Sequence, residues 1–318
     1  ECVPVDGERI FDTDQILNLQ DIPGRLAIIG AGVVGVEYAC MFAALGVHVT
    51  LVEKQENLMP FVDREIVDAL IYHMRDSGVV FQLGEGVESV SIEGNEVVAV
   101  TESRKRICTD ALLYTIGRQG ATDQLALENV GLEADERGRL TVDERYATAV
   151  PYIYAAGDVI GFPALASSSM EQGRIAARNA LGAPTDGVQD LLPFGIYTIP
   201  EISIVGKTEA ELTRDRVSYE IGMARYSETA RGQIVGDSTG RLKLLVDTKT
   251  RDLLGVHIIG EGASELIHIG QAVIALNGKL DYLVNNVFNY PTLAECYKVA
   301  ALDAYNKISG QVTVRKAA

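Results

Sequence analysis

A glycine-rich string near the start of the chain has the spacing of a phosphate-binding turn. Gly30, Gly32 and Gly35 lie in GAGVVG, between the apolar run RLAII and the helical pattern VVGVEYACMFAALG. Gly30 permits a tight turn, Gly32 lets a backbone approach a pyrophosphate, and Gly35 allows a helix to pack closely on a strand. The first N–H groups of that helix, at Val33 and Val34, offer hydrogen bonds and a positive dipole to the phosphates. The string predicts a dinucleotide site.

The acidic residue that such a site needs is Glu53, which ends the next predicted strand, HVTLVE. A carboxylate there accepts hydrogen bonds from the adenine-ribose 2′-OH and repels a 2′-phosphate. The residue types alone therefore favour NAD over NADP.

Two further carboxylates stand out by their surroundings. Glu37 is the only charged residue between Arg25 and Glu53, so it is either paired or near a cofactor, or it faces solvent in the first turns of its helix. Asp158 follows Gly157 at the end of an apolar run, a placement typical of a carboxylate that meets a ligand hydroxyl or caps a turn.

The elements that position these residues alternate between strand and helix over residues 25–118. We expect helices over VVGVEYACMFAALG and DREIVDALIYHMRDSG, a hairpin at Gly94, and a last strand over CTDALLYTIGR. This order predicts an α/β fold: a doubly wound parallel sheet with a small antiparallel insert. Strands followed by helices over residues 191–318 predict a separate α+β domain.

Composition narrows the class of protein. The chain has 318 residues, 47% of them hydrophobic, and a net charge of −16, so we expect two or three domains and no binding to nucleic acid or anionic membranes. The apolar stretch 26–52 is interrupted by glycines, Glu37 and His48, which argues against a membrane span. Four scattered cysteines and four scattered histidines predict no metal site, and with the lack of a signal-peptide pattern they favour the cytoplasm.

Several longer strings together resemble one family. GAGVVGVEYA, VTLVE, TIGR, YIYAAGDV, PFGIYTIPEISIVGKTEAEL, IIGEGASELIHIGQAV and FNYPTLAECYKVAALDA follow the order found in the flavoproteins with two dinucleotide sites, such as glutathione reductase and dihydrolipoamide dehydrogenase. Within that family they most closely resemble the branch of soluble, Si-specific pyridine nucleotide transhydrogenases. The resemblance covers essentially the whole chain.

This resemblance implies a domain order. Residues 1–22 would end a first FAD-domain segment, 23–145 would form the NAD(P) domain, 146–190 would be a returning FAD-domain segment, and 191–318 would form the interface domain of a homodimer. It also implies that the N-terminal FAD half lies outside this chain, which we expect to be a truncated form.

The resemblance assigns roles to residues outside the glycine turn as well. Gly157, Asp158, Leu165 and Ala166 would line FAD, and Glu37 would lie beside the flavin. Gly117 and Arg118 match the strand end near the nicotinamide nucleotide.

The string FNYPTLAE departs from the pattern of the disulfide reductases. Those enzymes place a histidine before the proline as a base toward a thiol, whereas Tyr290 stands here and Glu295 remains. A phenol with an ordinary pKa is a poor thiol base at neutral pH. Tyr290 therefore argues against a disulfide substrate, although it could equally be an interface aromatic, and the resemblance places Tyr290 and Glu295 toward the partner subunit's flavin site.

The activity implied is hydride transfer between NADPH and NAD⁺ by way of FAD. Such an enzyme must also accept NADP, and Lys54, next to Glu53, could meet the 2′-phosphate if its loop adapts. Two alternatives stay open: a nucleotide-binding and dimerisation fragment without stable flavin, and an enzyme similar to dihydrolipoamide dehydrogenase or NADH oxidase.

Overall fold

The computed structural model describes residues 3–185, 187 and 190–310, and these form two compact units. One unit comprises Glu1–Ile116 and Pro193–Ala318, and the other is Gly117–Leu192. Within the described residues no helix has the length and apolar character needed to cross a membrane.

The first part of the first unit is built on a parallel sheet. Its elements are β1 (Ile10–Phe11), β2 (Arg25–Ile29), α1 (Val33–Ala44), β3 (His48–Glu53), α2 (Arg64–Asp76), β4 (Val80–Leu83), β5 (Val87–Glu93), β6 (Glu96–Thr101), β7 (Arg106–Thr109) and β8 (Ala111–Tyr114). Five strands run parallel in the order β1-β8-β2-β3-β4, while β5-β6-β7 form a separate antiparallel sheet.

The two faces of the parallel sheet are covered differently. Leu26 and Ile28 of β2 point into a core shared with α1 and α2, whereas Ala27 and Ile29 point into a core shared with β5 and β6. Since successive side chains of a strand alternate between faces, β2 is buried on both sides. This explains its continuous apolar sequence and fixes its carboxyl end at the edge of the sheet.

The second unit contains one long helix, α3 (Ala166–Ala180), and short 3-10 turns at Leu127–Val130 and Asp158–Ile160. Gly120 and Gly138 cross at close range, because a Cβ on Gly120 would lie 2.1 Å from the Gly138 carbonyl oxygen. The apolar run before Asp158 is not a strand: it forms only an isolated bridge between Ala147 and Tyr154.

The rest of the first unit is an antiparallel sheet covered by helices. Its elements are β9 (Phe194–Ile196), β10 (Ile202–Gly206), α4 (Glu209–Arg214), β11 (Tyr219–Arg225), α5 (Ala230–Val235), β12 (Arg241–Asp247), β13 (Leu253–Ile259), α6 (Ala263–Ala275), α7 (Leu280–Asn285) and α8 (Glu295–Ile308). The strand order is β11-β12-β13-β10-β9. Helix α8 packs directly on β11, where a Cβ on Gly222 would lie 2.1 Å from the Ala300 carbonyl oxygen.

The α/β fold with a parallel sheet and an antiparallel insert is confirmed, with one correction to its strands. The predicted last strand over 108–118 is two strands, because the chain changes sheets at Asp110. The Asp110 carboxylate accepts the Arg25 backbone N–H at 2.9 Å and its guanidinium at 2.6 Å. This clamp ends β7 and starts β8 beside β2. The pairing of β1 with β8 was not predicted.

Candidate nucleotide-binding site

The glycine turn connects the carboxyl end of β2 to the start of α1. Gly30 has a φ of +102°, which side-chain-bearing residues rarely adopt. A Cβ on Gly35 would lie 2.0 Å from the Gly30 carbonyl oxygen, so the helix can pack this closely only on a glycine. Gly32 is different: it is exposed, and a Cβ there would meet nothing within 4 Å. The turn therefore leaves open space at Gly32, where the protein backbone is expected to contact a ligand.

Glu53 ties the end of β3 to this turn. Its Oε2 accepts the Ala31 N–H at 2.7 Å, and its Oε1 accepts the Gln55 N–H at 2.9 Å. The carboxylate is half-buried and lies against the glycine turn, the position from which it can accept ribose hydroxyls. The two parts of the predicted dinucleotide motif are thus in direct contact.

Thr115 is a third member of this edge that the sequence reasoning missed. Its hydroxyl lies 2.9 Å from the Ile29 carbonyl oxygen and 2.8 Å from the Gly30 carbonyl oxygen and donates to this pair. Thr115 directly follows β8, on the opposite side of β2 from β3. The turn therefore sits where the strand order reverses, which is where open α/β sheets bind ligands. The sequence feature that could have identified Thr115 is its position at the end of the last parallel strand.

Lys54 lies on the same edge but is paired. Its Nζ is 3.3 Å from Oε1 of Glu102, a residue in the turn between β6 and β7 that the sequence reasoning also missed. In the same turn, Lys105 pairs with Glu85 at 2.7 Å. The hydrogen bond from Lys105 lowers the pKa of Glu85 to about 2, so that carboxylate stays ionised at neutral pH.

Glu37 lies on α1, half-buried, and contacts the antiparallel part of the unit. Its Oε1 accepts the Tyr197 backbone N–H at 2.7 Å. Burial raises the pKa of Glu37, and the Tyr197 hydrogen bond partly opposes that rise. The side chain is thus neither buried without a partner nor a simple solvent-facing residue.

The residues predicted to line FAD fall in the second unit, as do Gly117 and Arg118. Gly157 has φ +85° and ψ −159°, a conformation open essentially to glycine alone, and its N–H donates to Gln172 Oε1 at 2.8 Å. Asp158 is exposed and accepts the Ser169 hydroxyl at 3.2 Å.

The start of α3 lies a few residues further along the second unit. Leu165 is the N-cap of α3 and makes no side-chain capping bond, and the exposed Ala166 is its first residue. The first N–H groups of this helix therefore receive no side-chain cap from Leu165.

Tyr290 precedes α8 and Glu295 is its first residue, and the two side chains have different surroundings. Tyr290 is 71% exposed. Glu295 begins α8, and its Oε2 is buried with no hydrogen-bond partner among residues 3–185, 187 and 190–310. The Tyr290 phenol is thus open to contact with another molecule, while Oε2 of Glu295 has no hydrogen-bond partner within the described residues.

A buried ionic cluster that the sequence analysis did not predict lies between α2 and the antiparallel sheet. Lys243 of β12 is fully buried, and its Nζ lies 2.9 Å from Asp63 and 3.2 Å from Glu65 and also contacts Glu209. The three carboxylates offer oxygens within 4.8 Å of one another, a set that could hold a metal ion. The ammonium takes the place of such a cation.

The protonation of this cluster follows from its partners. Burial alone would lower the pKa of Lys243, but the hydrogen bonds to Glu209 and Asp63 outweigh it and raise that pKa. Full burial lowers the pKa of the neighbouring His257. The one visible indication in the sequence is a lysine inside the apolar strand RLKLLVD.

Family models match both parts of the chain. The pyridine nucleotide-disulphide oxidoreductase model matches residues 3–173, and the dimerisation-domain model of the same family matches residues 192–301. The chain belongs to the pyridine nucleotide-disulphide oxidoreductase family. The resemblance found from the sequence strings is confirmed.

Curated relatives within the family carry the name soluble pyridine nucleotide transhydrogenase. The chain is 55% identical over 306 residues to the protein of that name from Mycobacterium bovis strain BCG / Pasteur 1173P2, covering 96% of this chain and 65% of the relative. It is 50% identical over 303 residues to the one from Marinomonas sp. strain MWYL1, with 94% and 65% covered. The chain thus spans about two-thirds of the length of these relatives, 65%.

Solved structures show the same fold. The HOCl-induced flavoprotein disulfide reductase RclA from Escherichia coli superposes with a TM-score of 0.88 at 32% identity, covering 92% of this chain and 68% of that one. LpdA from Mycobacterium tuberculosis superposes with a TM-score of 0.87 at 29% identity, covering 95% and 66%. Both confirm the fold class.

Proposed function

We propose that this chain serves a flavoprotein transhydrogenase that passes hydride between NADPH and NAD⁺ by way of FAD. The observation that carries the proposal is the 2.7 Å hydrogen bond from the Ala31 N–H to Glu53, since it joins the glycine turn and the ribose-binding carboxylate at the switch point of the sheet. The names of the relatives at 55% and 50% identity support the same reaction.

The residues of the first unit would bind the nicotinamide nucleotide. Gly32, Val33 and Val34 would present backbone N–H groups to the pyrophosphate, because the first N–H groups of α1 have no partner inside the helix. Gly30 and Gly35 would hold the turn close to the helix, and Glu53 would accept the ribose hydroxyls. Gly117 and Arg118 open the second unit, and the family resemblance alone assigns them to the nicotinamide nucleotide.

The residues of the second unit would hold part of FAD. Asp158 is exposed and held by one serine hydroxyl, so it retains capacity to accept a ribitol hydroxyl. Leu165 and Ala166 open α3 without a side-chain cap, which leaves N–H groups for an electron-rich ligand edge. A bound flavin would supply the hydride acceptor and donor that amino-acid side chains lack.

Three residues would adjust the flavin surroundings. Glu37, held by the Tyr197 N–H, would place a carboxyl group beside the ring. Glu295, whose Oε2 has no hydrogen-bond partner within the described residues, and the exposed Tyr290 would face the flavin site of a second subunit. Because a phenol is a poor base toward a thiol at neutral pH, Tyr290 favours hydride exchange over disulfide reduction.

The finer organisation belongs to the same proposal. Residues 1–22 and 146–190 would belong to an FAD domain, 23–145 to the NAD(P) domain, and 191–318 to the interface domain of a homodimer. The dimerisation-domain match supports the last assignment. We place the protein in the cytoplasm, where both nucleotides are available.

The test is an anaerobic absorbance experiment on the purified 318-residue chain. The proposal predicts a yellow protein whose flavin band is bleached by NADPH and restored by NAD⁺. Asp158→Ala should lower the flavin content, whereas Asp123→Ala, which removes an exposed carboxylate in the same unit, should not. A colourless chain that still binds NAD⁺ contradicts the proposal and favours a nucleotide-binding and dimerisation module.

A further inference from the structure

The turn between β6 and β7 places a carboxylate at a defined position beside the end of β3. The Glu102 N–H donates to the Gly86 carbonyl oxygen at 2.8 Å. A Cβ on Gly86 would lie 2.4 Å from Glu102 Oε1 and 2.5 Å from its Cδ. The Glu102 carboxylate thus rests on the bare Cα of Gly86, a position that any other residue there would exclude.

This carboxylate is the partner of Lys54. The Nζ–Oε1 distance is 3.3 Å, and both side chains are largely exposed, 76% for Lys54 and 58% for Glu102. Lys54 directly follows Glu53, whose carboxylate lies on the glycine turn. The ammonium that follows the candidate ribose-binding carboxylate in sequence is thus held by Glu102, in an exposed pair that a stronger anion could replace.

One corner of the first unit contains Glu53, Lys54, Glu85, Glu102 and Lys105. The balance of charge in this corner determines how strongly Glu102 affects the binding of an anion. Lys105 is bonded to Glu85 at 2.7 Å and that pair is neutral overall. Arg104 of the same turn is likewise paired, with Glu88 at 3.2 Å, while Lys54 is paired with Glu102. Glu53 adds one more carboxylate, so these residues together carry a net negative charge. A 2′-phosphate brings nearly two further negative charges and needs a cation that is not already paired.

We propose that Glu102 is a specificity-determining residue at the adenosine 2′ position, acting through Lys54. While Glu102 binds the Lys54 ammonium, the corner accepts the 2′-OH of NAD on Glu53. When a 2′-phosphate arrives, Lys54 must leave Glu102 to pair with it, and this exchange weakens NADP binding. The inference rests on the proposed function, because it assumes that a nicotinamide nucleotide occupies the glycine turn.

The test measures the dissociation constants of NADP⁺ and NAD⁺ by calorimetry on the full chain. Glu102→Gln should tighten NADP⁺ binding by about three- to tenfold, the range expected when an exposed ion pair and one repulsive charge are removed. NAD⁺ binding should change by less than about twofold, because its 2′-OH does not use Lys54. In the double variant Glu102→Gln/Lys54→Gln the gain should disappear.

Glu93→Gln is the matched control. It removes the carboxylate that pairs with Arg106 in an exposed ion pair, and Glu93 itself lies beside the β5–β6 hairpin, at the opposite end of β6 from Glu102. An equal gain in Glu93→Gln, or a gain that persists in the double variant, overturns the role of Glu102 while leaving the nucleotide site intact. Failure of the unmodified chain to bind NAD⁺ overturns this inference together with the proposed function.

Discussion

Two lysines of this molecule meet carboxylates in similar chemistry but in opposite surroundings. Lys243 is fully buried among Asp63, Glu65 and Glu209, whereas Lys54 is 76% exposed beside Glu102. A buried charge that loses its partner is stranded, while an exposed one is solvated and can change partners. The Lys243 cluster therefore cannot lose a member without destabilising the fold, whereas the Lys54–Glu102 pair can exchange partners with a ligand.

The largest effect on stability is expected at Lys243, the more deeply buried of the two lysines. Lys243→Met should lower the free energy of unfolding by about 3–5 kcal/mol, because it leaves the buried Asp63 carboxylate without its cation. Lys54→Met, the exposed counterpart, should change stability by less than about 0.5 kcal/mol. Urea titration of both variants at pH 7 checks this. A loss below about 1 kcal/mol for Lys243→Met would remove the distinction between the two lysines.

The same contrast between buried and exposed positions applies to two glycines of the turn. Gly35→Ala should destabilise the chain by about 1–3 kcal/mol, because the new Cβ would meet the Gly30 carbonyl oxygen. Gly32→Ala should leave the melting temperature unchanged, because a Cβ there meets nothing within 4 Å.

Nucleotide binding should separate the two glycine variants in the opposite sense. Gly32→Ala should weaken NAD⁺ binding about tenfold or more, since the methyl group occupies the space of the pyrophosphate. Calorimetry alongside thermal unfolding measures both properties. Unchanged binding in Gly32→Ala would show that no ligand approaches this backbone.

A reversal of charge at the exposed corner should change specificity. Glu53→Arg should shift the ratio of NADP⁺ to NAD⁺ affinity by about tenfold or more toward NADP⁺, because a guanidinium binds phosphate and no longer accepts the ribose hydroxyls. Competition binding with the two nucleotides checks the ratio. Glu56→Arg, an exposed neighbour in the same loop, is the control for charge alone, and an equal shift there would contradict the role of Glu53.

The smallest effect is expected at Glu37, which is intermediate between the two lysines in burial. Because burial raises its pKa above the unfolded value, the folded state binds more protons than the unfolded state, and stability falls as pH rises through that interval. Glu37→Gln, which keeps an acceptor for the Tyr197 N–H, should raise the melting temperature at pH 7 by about 1–2 °C after solvent screening. The gain should vanish when the pH is lowered below the unfolded pKa of a glutamate, about 4.3. A gain that is independent of pH would rule out ionisation as its cause.

The parallel sheet and its glycine turn were predictable because local rules dominate there. The apolar run before Gly30, the helix after Gly32 and the carboxylate at Glu53 each follow from strand burial, helix packing and hydrogen-bonding capacity. The start of α2 follows a local rule too, since the Asp63 side chain caps it by accepting the Glu65 N–H at 3.1 Å.

The remaining contacts depend on which distant segments the fold brings together. Lys54 and Glu102 are 48 residues apart, Thr115 reaches the turn from 85 residues away, and Lys243 meets Asp63 across 180 residues. No local period encodes such pairings. The split at Asp110 was missed for the same reason, because the clamp on Arg25 lies 85 residues away in sequence.

The most direct test of the central claim is a crystal structure of this chain with NAD⁺. The proposed site predicts the pyrophosphate within hydrogen-bond distance of the Gly32 and Val33 N–H groups and an adenine-ribose hydroxyl on the Glu53 carboxylate. A dinucleotide bound at any other edge of the molecule, or bound at the glycine turn without contact to Glu53, would contradict it.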